Sequence, residues 1–276
     1  MTKLLPFLLL ALATVACQLP EKKSNESDLI DDTAAERIDS TLKALVDSGR
    51  VVGISALIYE KNKEVYFSAF GFADRESNKL MDRKTLVRIF SMTKPVTGVA
   101  LMQLYEQGAF HLDDPLEKYL PEFANMKVVG GKDAKGKMRL EPAKRSITVR
   151  DITRHTAGFA SEWHPDLGAM VREADAMDKQ NTLEQMTKKL AALPLAFHPG
   201  AQWSYGISVD VQARLVEQLS GKPFDQYVRE NILAPLQMNE TGYVPEDISR
   251  VAAAYSRGDD GILNRVADSV ANAFNA

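Results

Sequence analysis

A serine and a lysine three residues apart are the side chains of this sequence best suited to covalent chemistry. Ser91 and Lys94 bracket Met92 and Thr93 in a Ser-x-x-Lys tetrapeptide. On a helix, residues three apart lie on the same side, so the amine can reach the hydroxyl. A serine hydroxyl needs a neighbouring base to take its proton, and lysine can be that base only if its pKa falls well below about 10.4. The tetrapeptide alone also fits a capping serine followed by an exposed lysine.

The helix that carries this pair is predicted over residues 92–107. Gly108 is a typical helix end, and Pro95 is tolerated only in the first turn, because in a helix interior it costs about 3 kcal/mol. We therefore expect Ser91 at the helix N-terminus, where the helix dipole favours a developing alkoxide. The apolar face of this helix consists of Val96, Val99, Ala100 and Leu104.

The flanking sequence predicts further elements around this helix. Capping residues at 31–33 and apolar residues at helical spacing predict a first helix that ends at Gly49. Residues 51–59 and 64–70 are rich in β-branched and aromatic side chains, which predicts a hairpin. Beyond residue 113 the pattern favours helices joined by loops. These helices are predicted over residues 149–155, 182–193, 208–220 and 223–233, and the glycine- and lysine-rich residues 130–137 are predicted to form an exposed loop.

Longer stretches around Ser91 resemble a known family. Residues 88–108, with the tetrapeptide inside, and residues 112–121 are similar to the class C β-lactamase branch of serine hydrolases, which also holds D-alanyl-D-alanine carboxypeptidases and esterases. Residues 147–158, 199–205 and 235–242 resemble further segments of that branch, in the same order. The resemblance spans about residues 35–256. It implies an α/β (α+β) fold of the β-lactamase/transpeptidase type, with an antiparallel sheet flanked by helices and a mostly helical subdomain at about residues 110–245.

The resemblance also implies a third member of the site. Tyr205 matches the tyrosine of the family's Tyr-x-Asn motif, which takes the proton from Ser91 directly or with Lys94 and returns it to the leaving group. Here the motif reads Tyr205-Gly206-Ile207. An isoleucine cannot donate the hydrogen bond that the asparagine gives to an acylamide. This departure argues against strong β-lactam recognition and favours esters.

The histidines suggest neither a triad nor a metal site. The chain contains no Gly-x-Ser-x-Gly elbow. Its four histidines, at positions 111, 155, 164 and 198, lack metal-ligand spacing. We expect His155 to be a structural residue that bonds backbone in a turn, and we expect neither a metal nor another cofactor.

One motif of the family is not found. After Tyr205 there is no Lys-Thr-Gly or His-x-Gly triplet of the kind that the family places on a late strand, where a backbone N–H helps to bind the oxyanion. From this we expect the C-terminal strands to be missing. The chain would then be a truncated gene product or a fragment of a longer protein.

The N-terminus predicts export. Residues 1–16 have the basic start, apolar run and small-residue end of a signal peptide. Cys17, the only cysteine, follows directly and resembles a lipid-attachment residue. Residues 17–30 would then be a lipidated cysteine with a polar tether, and residues 31–276 the partial β-lactamase-related domain. These features predict a membrane-anchored lipoprotein on the periplasmic or cell-surface side. A plain secretory signal with an incidental cysteine is the alternative.

Together these features predict a serine hydrolase acting through an acyl-serine intermediate on esters or small amides. A net charge of -3 favours no nucleic-acid partner. The alternatives are an inactive relic or binding module, because of the absent motif, and a D-alanyl-D-alanine carboxypeptidase or β-lactamase, because of the family resemblance.

Overall fold

The computed structural model describes residues 30–271. The predicted signal peptide, Cys17 and all but the last residue of the tether lie outside the described residues. Within the described range the chain divides into two compact units. The first comprises residues 30–83 with Asp259–Leu263, and the second comprises Lys84–Gly258 with residues 264–271.

The first unit is a helix packed on a small antiparallel sheet. Helix α1 (Asp32–Asp47) begins where the Asp31 carboxylate accepts the N–H of Ala34, and the hairpin strands are β1 (Gly53–Glu60) and β2 (Lys63–Asp74). Lys61 and Asn62 form the turn with positive φ values of 50° and 62°, as a two-residue hairpin loop requires. The predicted helix and hairpin are confirmed.

Strand β2 runs four residues beyond its predicted end and pairs with β3 (Lys79–Leu80), which gives the strand order β1-β2-β3. Tyr66 and Ser68 on β2 each donate a 2.6 Å hydrogen bond to Asp39 of α1. These two bonds fix the helix on the sheet. Gly71 allows the strands to meet closely, because a Cβ there would lie 2.3 Å from the Val52 carbonyl oxygen.

The second unit is mainly helical. The helices that the sequence predicted are present as α2 (Thr93–Glu106), α3 (Val149–Thr153), α5 (Leu183–Ala191), α6 (Ser208–Ser220) and α7 (Phe224–Val228), which continues as a π-helical turn over Arg229–Leu233. Other elements of this unit are α4 (Gly168–Ala174), β6 (Tyr255–Arg257), α8 (Asp268–Ala271) and short 3₁₀ turns at Phe90–Met92, Leu116–Lys118, Pro121–Phe123 and Ile248–Arg250. Strand β7 (Leu263–Arg265) begins at the last residue of the first unit and ends in the second.

The loop predicted for residues 130–137 is shorter in the structure. Residues 130–132 belong to β4 (Lys127–Lys132), which pairs antiparallel with β5 (Met138–Pro142). Strand pairing is made by backbone groups, so glycines and lysines can take part when a neighbouring residue anchors the strand. Val128 is that anchor, since its side chain is buried and its backbone bridges to Leu195. Only residues 133–137 form a turn, which the Asp133 carboxylate closes by accepting two backbone N–H groups.

The core of the second unit lies where α2, α3 and α6 pack together. Leu101 of α2, Ile152 of α3 and Leu215 of α6 are fully buried. Each buried side chain of this size contributes about 1.5–3 kcal/mol through loss of apolar contact with water. This packing fixes the positions of the N-terminus of α2, the end of α3 and the start of α6. Other core members are Ala100, Leu104, Phe110, Leu116, Phe123, Val149, Val211 and Val216.

The fold class predicted from the sequence is confirmed, because the chain combines antiparallel strand pairs with helices.

Candidate active site

Ser91 lies on a tight turn directly before α2. The turn is the 3₁₀ segment Phe90–Met92, closed by the Met92 N–H donating to the Ile89 carbonyl at 2.9 Å. Phe90 has a φ of +43°, an uncommon value for a residue with a bulky side chain. This sharp reversal leaves Ser91 exposed at the helix N-terminus, as predicted, and Pro95 falls in the first turn of α2, as its chemistry requires.

Lys94 lies one turn along from Ser91, and the two side chains meet. The Lys94 Nζ is 3.1 Å from the Ser91 Oγ. The same ammonium group lies 4.7 Å from the centre of the Tyr205 ring, within the range of a cation–π contact. The lysine therefore places its charge against both hydroxyl-bearing side chains.

Tyr205 reaches Ser91 from a distant part of the chain. Its hydroxyl donates to the Ser91 Oγ at 2.7 Å, across 114 residues of sequence. The loop before α6 positions the ring, and this loop is tied down by the Ser204 N–H donating to the His155 carbonyl at 2.9 Å. A hydrogen bond with Lys94, and a smaller contribution from Ser91, holds the pKa of Tyr205 below its usual value. A phenolate is therefore easier to form here than on an ordinary surface tyrosine.

His155 braces Tyr205. Its ring stacks on the Tyr205 ring with 5.2 Å between centres and 28° between planes. Its Nδ1 accepts the Gly206 N–H at 3.4 Å, and its backbone adopts a positive φ of 57° just after α3. Partial burial, and then the nearby Lys94 charge, lowers the pKa of His155, which favours the neutral ring. The prediction that His155 bonds backbone in a turn is confirmed; its stacking on Tyr205 was not foreseen.

A buried carboxylate fixes the helix that leads to His155. Asp151 is 4% exposed and receives both Nη groups of Arg145, at 2.5 and 2.9 Å. It also accepts the Thr156 hydroxyl and completes a capping box with Thr148 at the start of α3. Burial raises the pKa of Asp151, but the hydrogen bonds from Arg145, Thr148 and Thr156 together outweigh it and leave the pKa below the usual value.

Two further side chains near the site were not predicted to be functional. Trp203 is 66% exposed, and its ring centre lies 6.1 Å from that of His155 and 6.3 Å from that of Tyr205. Burial raises the pKa of Asp210, which lies close enough to Lys94 to feel its charge. In the sequence, the position of Trp203 two residues before Tyr205 could have indicated that its side chain lies near the site. An exposed tryptophan is worth attention because most large aromatic side chains are substantially buried.

Ile207, at the third position of the Tyr205-Gly206-Ile207 motif, packs against the core and is partly buried. Its side chain has no group that could bind a polar substrate. The other three histidines make local contacts elsewhere. The backbone N–H of His111 donates to the Asp114 carboxylate, and the Nδ1 of His164 accepts two backbone N–H groups. The Nε2 of His198 lies 3.0 Å from the Glu141 carboxylate.

Cys17, the predicted lipid-attachment residue, lies outside the described residues. Within residues 30–271 no group of three or more His, Cys, Asp or Glu side chains is arranged to hold a metal ion. The helices in this range are all too short or too polar to span a bilayer.

Residues 38–274 match the Beta-lactamase family, so the chain belongs to that family. Esterase EstB of Burkholderia gladioli is 30% identical over 228 residues, which are 81% of this chain and 55% of EstB. Among solved structures, EstCE1, described as a hydrolase with promiscuous acyltransferase activity, is 29% identical with a TM-score of 0.73 over 84% of this chain and 59% of its own. Simvastatin synthase (LovD) from Aspergillus terreus is 27% identical with a TM-score of 0.72, over 86% of this chain and 60% of LovD.

These similarities confirm the predicted family and fold. The relatives include an esterase, a hydrolase and a synthase, which is consistent with a serine hydrolase. The chain spans between 55% and 60% of the length of these three proteins.

Proposed function

We propose that this protein is a serine hydrolase that cleaves small esters, and to a lesser extent amides, through an acyl-Ser91 intermediate. The observation that carries the proposal is the convergence of two side chains on one oxygen. The Ser91 Oγ lies 3.1 Å from the Lys94 ammonium and 2.7 Å from the Tyr205 hydroxyl. A nucleophile in contact with its base, itself held by a third group, is the arrangement that nucleophilic catalysis requires.

The proposed reaction begins with a proton transfer. The Tyr205 phenolate takes the Ser91 proton, and the Oγ attacks the ester carbonyl carbon. When the tetrahedral intermediate collapses, the bond to the leaving alcohol breaks and Tyr205 returns the proton to that alcohol. Water then attacks the acyl-Ser91 ester in the same way, with Tyr205 as base, and releases the acid. The hydrogen bond with Lys94 stabilises the phenolate, because it is the largest cause of the lowered pKa of Tyr205.

The apolar third motif position favours esters over acylamides. Ile207 is packed into the core and offers no hydrogen-bond donor, whereas an amide side chain there could bind the acylamide of a peptide-like substrate. A site without that donor leaves the amide N–H and C=O of such a substrate unpaired, which costs binding energy. We therefore rank a D-alanyl-D-alanine carboxypeptidase or a β-lactamase below an esterase. Covalent capture of a labelled penicillin by Ser91 would reverse this order.

The decisive experiment is labelling with a fluorophosphonate probe followed by mass mapping. We expect the probe on Ser91 in the folded protein, no probe on Ser91→Ala, and unchanged labelling of Ser204→Ala, a matched removal of a hydroxyl next to Tyr205. Hydrolysis of p-nitrophenyl butyrate should follow the same pattern. A folded protein that is not labelled, and whose turnover equals that of Ser91→Ala, would instead be a non-catalytic binding module.

A second candidate function is acyl transfer, because EstCE1 is described as having acyltransferase activity besides hydrolysis. In that case an alcohol would replace water as the acceptor of the acyl group on Ser91. Adding butanol to the butyrate assay separates the two outcomes: a transferase yields butyl butyrate at the expense of butyric acid, and a strict hydrolase yields only the acid.

We also propose that the chain is exported and anchored through a lipid on Cys17, on the basis of the sequence at residues 1–17. Expression with radioactive palmitate should label the wild-type chain but not Cys17→Ser. Equal labelling of both would contradict the anchor.

A further inference from the structure

A groove with a volume of about 420 Å³ runs along α2, beginning beside the nucleophile. Both ends of the lining are defined by α2, with Lys94 at one end and Met102 at the other. The lining also includes Leu112, Val209 and the ring of His155. From Lys94 to Met102 the helix advances by eight residues, which is a rise of about 12 Å along its axis. The walls of the groove are largely apolar.

The groove is continuous with the proposed active site. Ser91, Lys94, Gly98 and Met102 follow one another at helical spacings of three or four residues, so they share a side of the helix. Lys94 lines the groove and also contacts the Ser91 Oγ at 3.1 Å. His155 lines it as well and stacks on Tyr205. A chain bonded to the Ser91 Oγ would therefore start at the mouth of the groove.

Two of the polar side chains in the walls, those of Gln212 and Thr153, are already paired with backbone. Gln212 donates to the Ile152 carbonyl at 2.8 Å, and Thr153 donates to the Arg150 carbonyl at 2.8 Å. These bonds turn the polar groups towards the protein. Away from Lys94 and His155, which lie next to Ser91 and Tyr205, a polar ligand would lose its hydration without gaining partners, so an apolar occupant is favoured along the rest of the groove.

Gly98 keeps the groove open. It lies in the interior of α2 with ordinary helical backbone, where glycine is less stable than alanine. A Cβ built on Gly98 would meet no atom within 4 Å. Neither the backbone conformation nor a close approach requires glycine at this position. Because Gly98 has no side chain, free volume remains in the middle of the groove.

We propose that this groove binds the acyl chain of the ester substrate, and that the preferred acyl groups are unbranched chains of on the order of four to eight carbons, since the helix spans about 12 Å between Lys94 and Met102. The inference rests on the proposed function, because it takes Ser91 as the acylated residue. Leu112, Val209 and the adaptable side chain of Met102 then provide the apolar contacts.

The first test measures how kcat/KM of the protein depends on the length of the acyl group, with p-nitrophenyl acetate, butyrate, hexanoate, octanoate and dodecanoate as substrates. Full burial of a methylene is worth about fourfold in kcat/KM and partial burial about twofold, from the usual transfer energy per methylene. We expect kcat/KM to rise about two- to fourfold per methylene up to octanoate and then to level off. A Ser91-dependent activity that is equal on all five esters overturns the groove but not the proposed function. The absence of any Ser91-dependent turnover overturns both.

The second test places the same side chain at two adjacent positions. Gly98→Leu fills the groove, whereas Val99→Leu enlarges a neighbouring side chain that is half exposed and does not line it. We expect the octanoate-to-acetate ratio of kcat/KM to fall at least about tenfold in Gly98→Leu, the equivalent of losing two buried methylenes, and to stay at the wild-type value in Val99→Leu. An unchanged ratio in a folded Gly98→Leu protein overturns the inference.

A third measurement needs no variant at all. The rate at which Ser91 is labelled by an octyl fluorophosphonate should exceed the rate for the ethyl analogue in the wild-type chain. Equal rates would contradict the groove even if Gly98→Leu failed to fold.

Discussion

Replacing Tyr205 with phenylalanine removes one oxygen from the centre of the site and leaves the ring. The ring itself makes the stacking contact with His155 at 5.2 Å and the cation–π contact with Lys94 at 4.7 Å, so both can persist in the variant. Tyr205 is half exposed. The free energy of unfolding should therefore change by less than about 0.5 kcal/mol, as for other surface substitutions.

The effect on catalysis should be much larger. The lost hydroxyl is the group that contacts the Ser91 Oγ at 2.7 Å, and its lowered pKa suits it to accept a proton. Removing a general base typically costs 10²–10⁴ in rate, which corresponds to about 2.7–5.4 kcal/mol of transition-state stabilisation. We expect a loss of about this size in kcat/KM for p-nitrophenyl butyrate, because the variant lacks the hydroxyl that takes the Ser91 proton in the proposed reaction.

The pH profile tests the same reasoning independently. If the phenolate is the base, the wild-type rate rises with pH as Tyr205 loses its proton, and the rise is complete at a lower pH than an ordinary tyrosine with a pKa of 10.0 would allow. Lys94→Met removes the largest cause of the lowered pKa, so the remaining activity should rise at higher pH. Tyr205→Phe should lack this rise altogether.

The assay is pre-steady-state release of nitrophenol, which separates acylation of Ser91 from deacylation. Tyr105→Phe is the matched control, since it removes a partly exposed tyrosine hydroxyl at the far end of α2. A folded Tyr205→Phe protein with kcat/KM within about threefold of wild type would refute the role of Tyr205 as base.

Three further predictions concern residues around the site. Gly98→Ala should raise the free energy of unfolding by about 0.5–1 kcal/mol in urea denaturation, because the new methyl group meets no atom and alanine is the better helix former; a destabilised variant would contradict the open space at this position. Asp151→Asn should lower the free energy of unfolding by about 2–4 kcal/mol, somewhat less than for a fully buried ion pair, because Arg145 is 44% exposed. Asp113→Asn removes an exposed ion pair and should lower it by less than about 1 kcal/mol. Because the folded-state pKa of Asp151 is lowered, its contribution is complete above about pH 4 and is lost as the pH falls further, so wild type should lose more stability than Asp151→Asn between about pH 4 and pH 2. His155→Gln should reduce kcat/KM by less than about tenfold, far less than the loss of a general base; a loss of 10³ or more would point to a histidine base.

The sequence by itself determined the features that depend on local spacing. Ser91 and Lys94 had to share a side of α2, because residues three apart on a helix do so in any tertiary context. The position of Pro95 required the helix to begin just after Ser91. The two strands of the hairpin and the turn between them also follow from local residue types.

Some local patterns misled. Glycines and lysines at residues 130–132 suggested a loop, but they form part of β4 because Val128 is buried and a partner strand is available. The strand propensity of a short segment predicts its structure less well than the burial of one anchoring residue does. The sequence holds no sign of that burial, because it depends on what packs against Val128.

Only the tertiary structure decided what surrounds Ser91. Family resemblance pointed to Tyr205, but its 2.7 Å contact with Ser91 spans 114 residues and depends on how α6 packs against α2. The stacking of His155 on Tyr205 and the groove left open at Gly98 are likewise products of packing. Periodicity tells which face of a helix is buried. Which side chains meet there, and which space stays empty, depends on contacts between elements far apart in the chain.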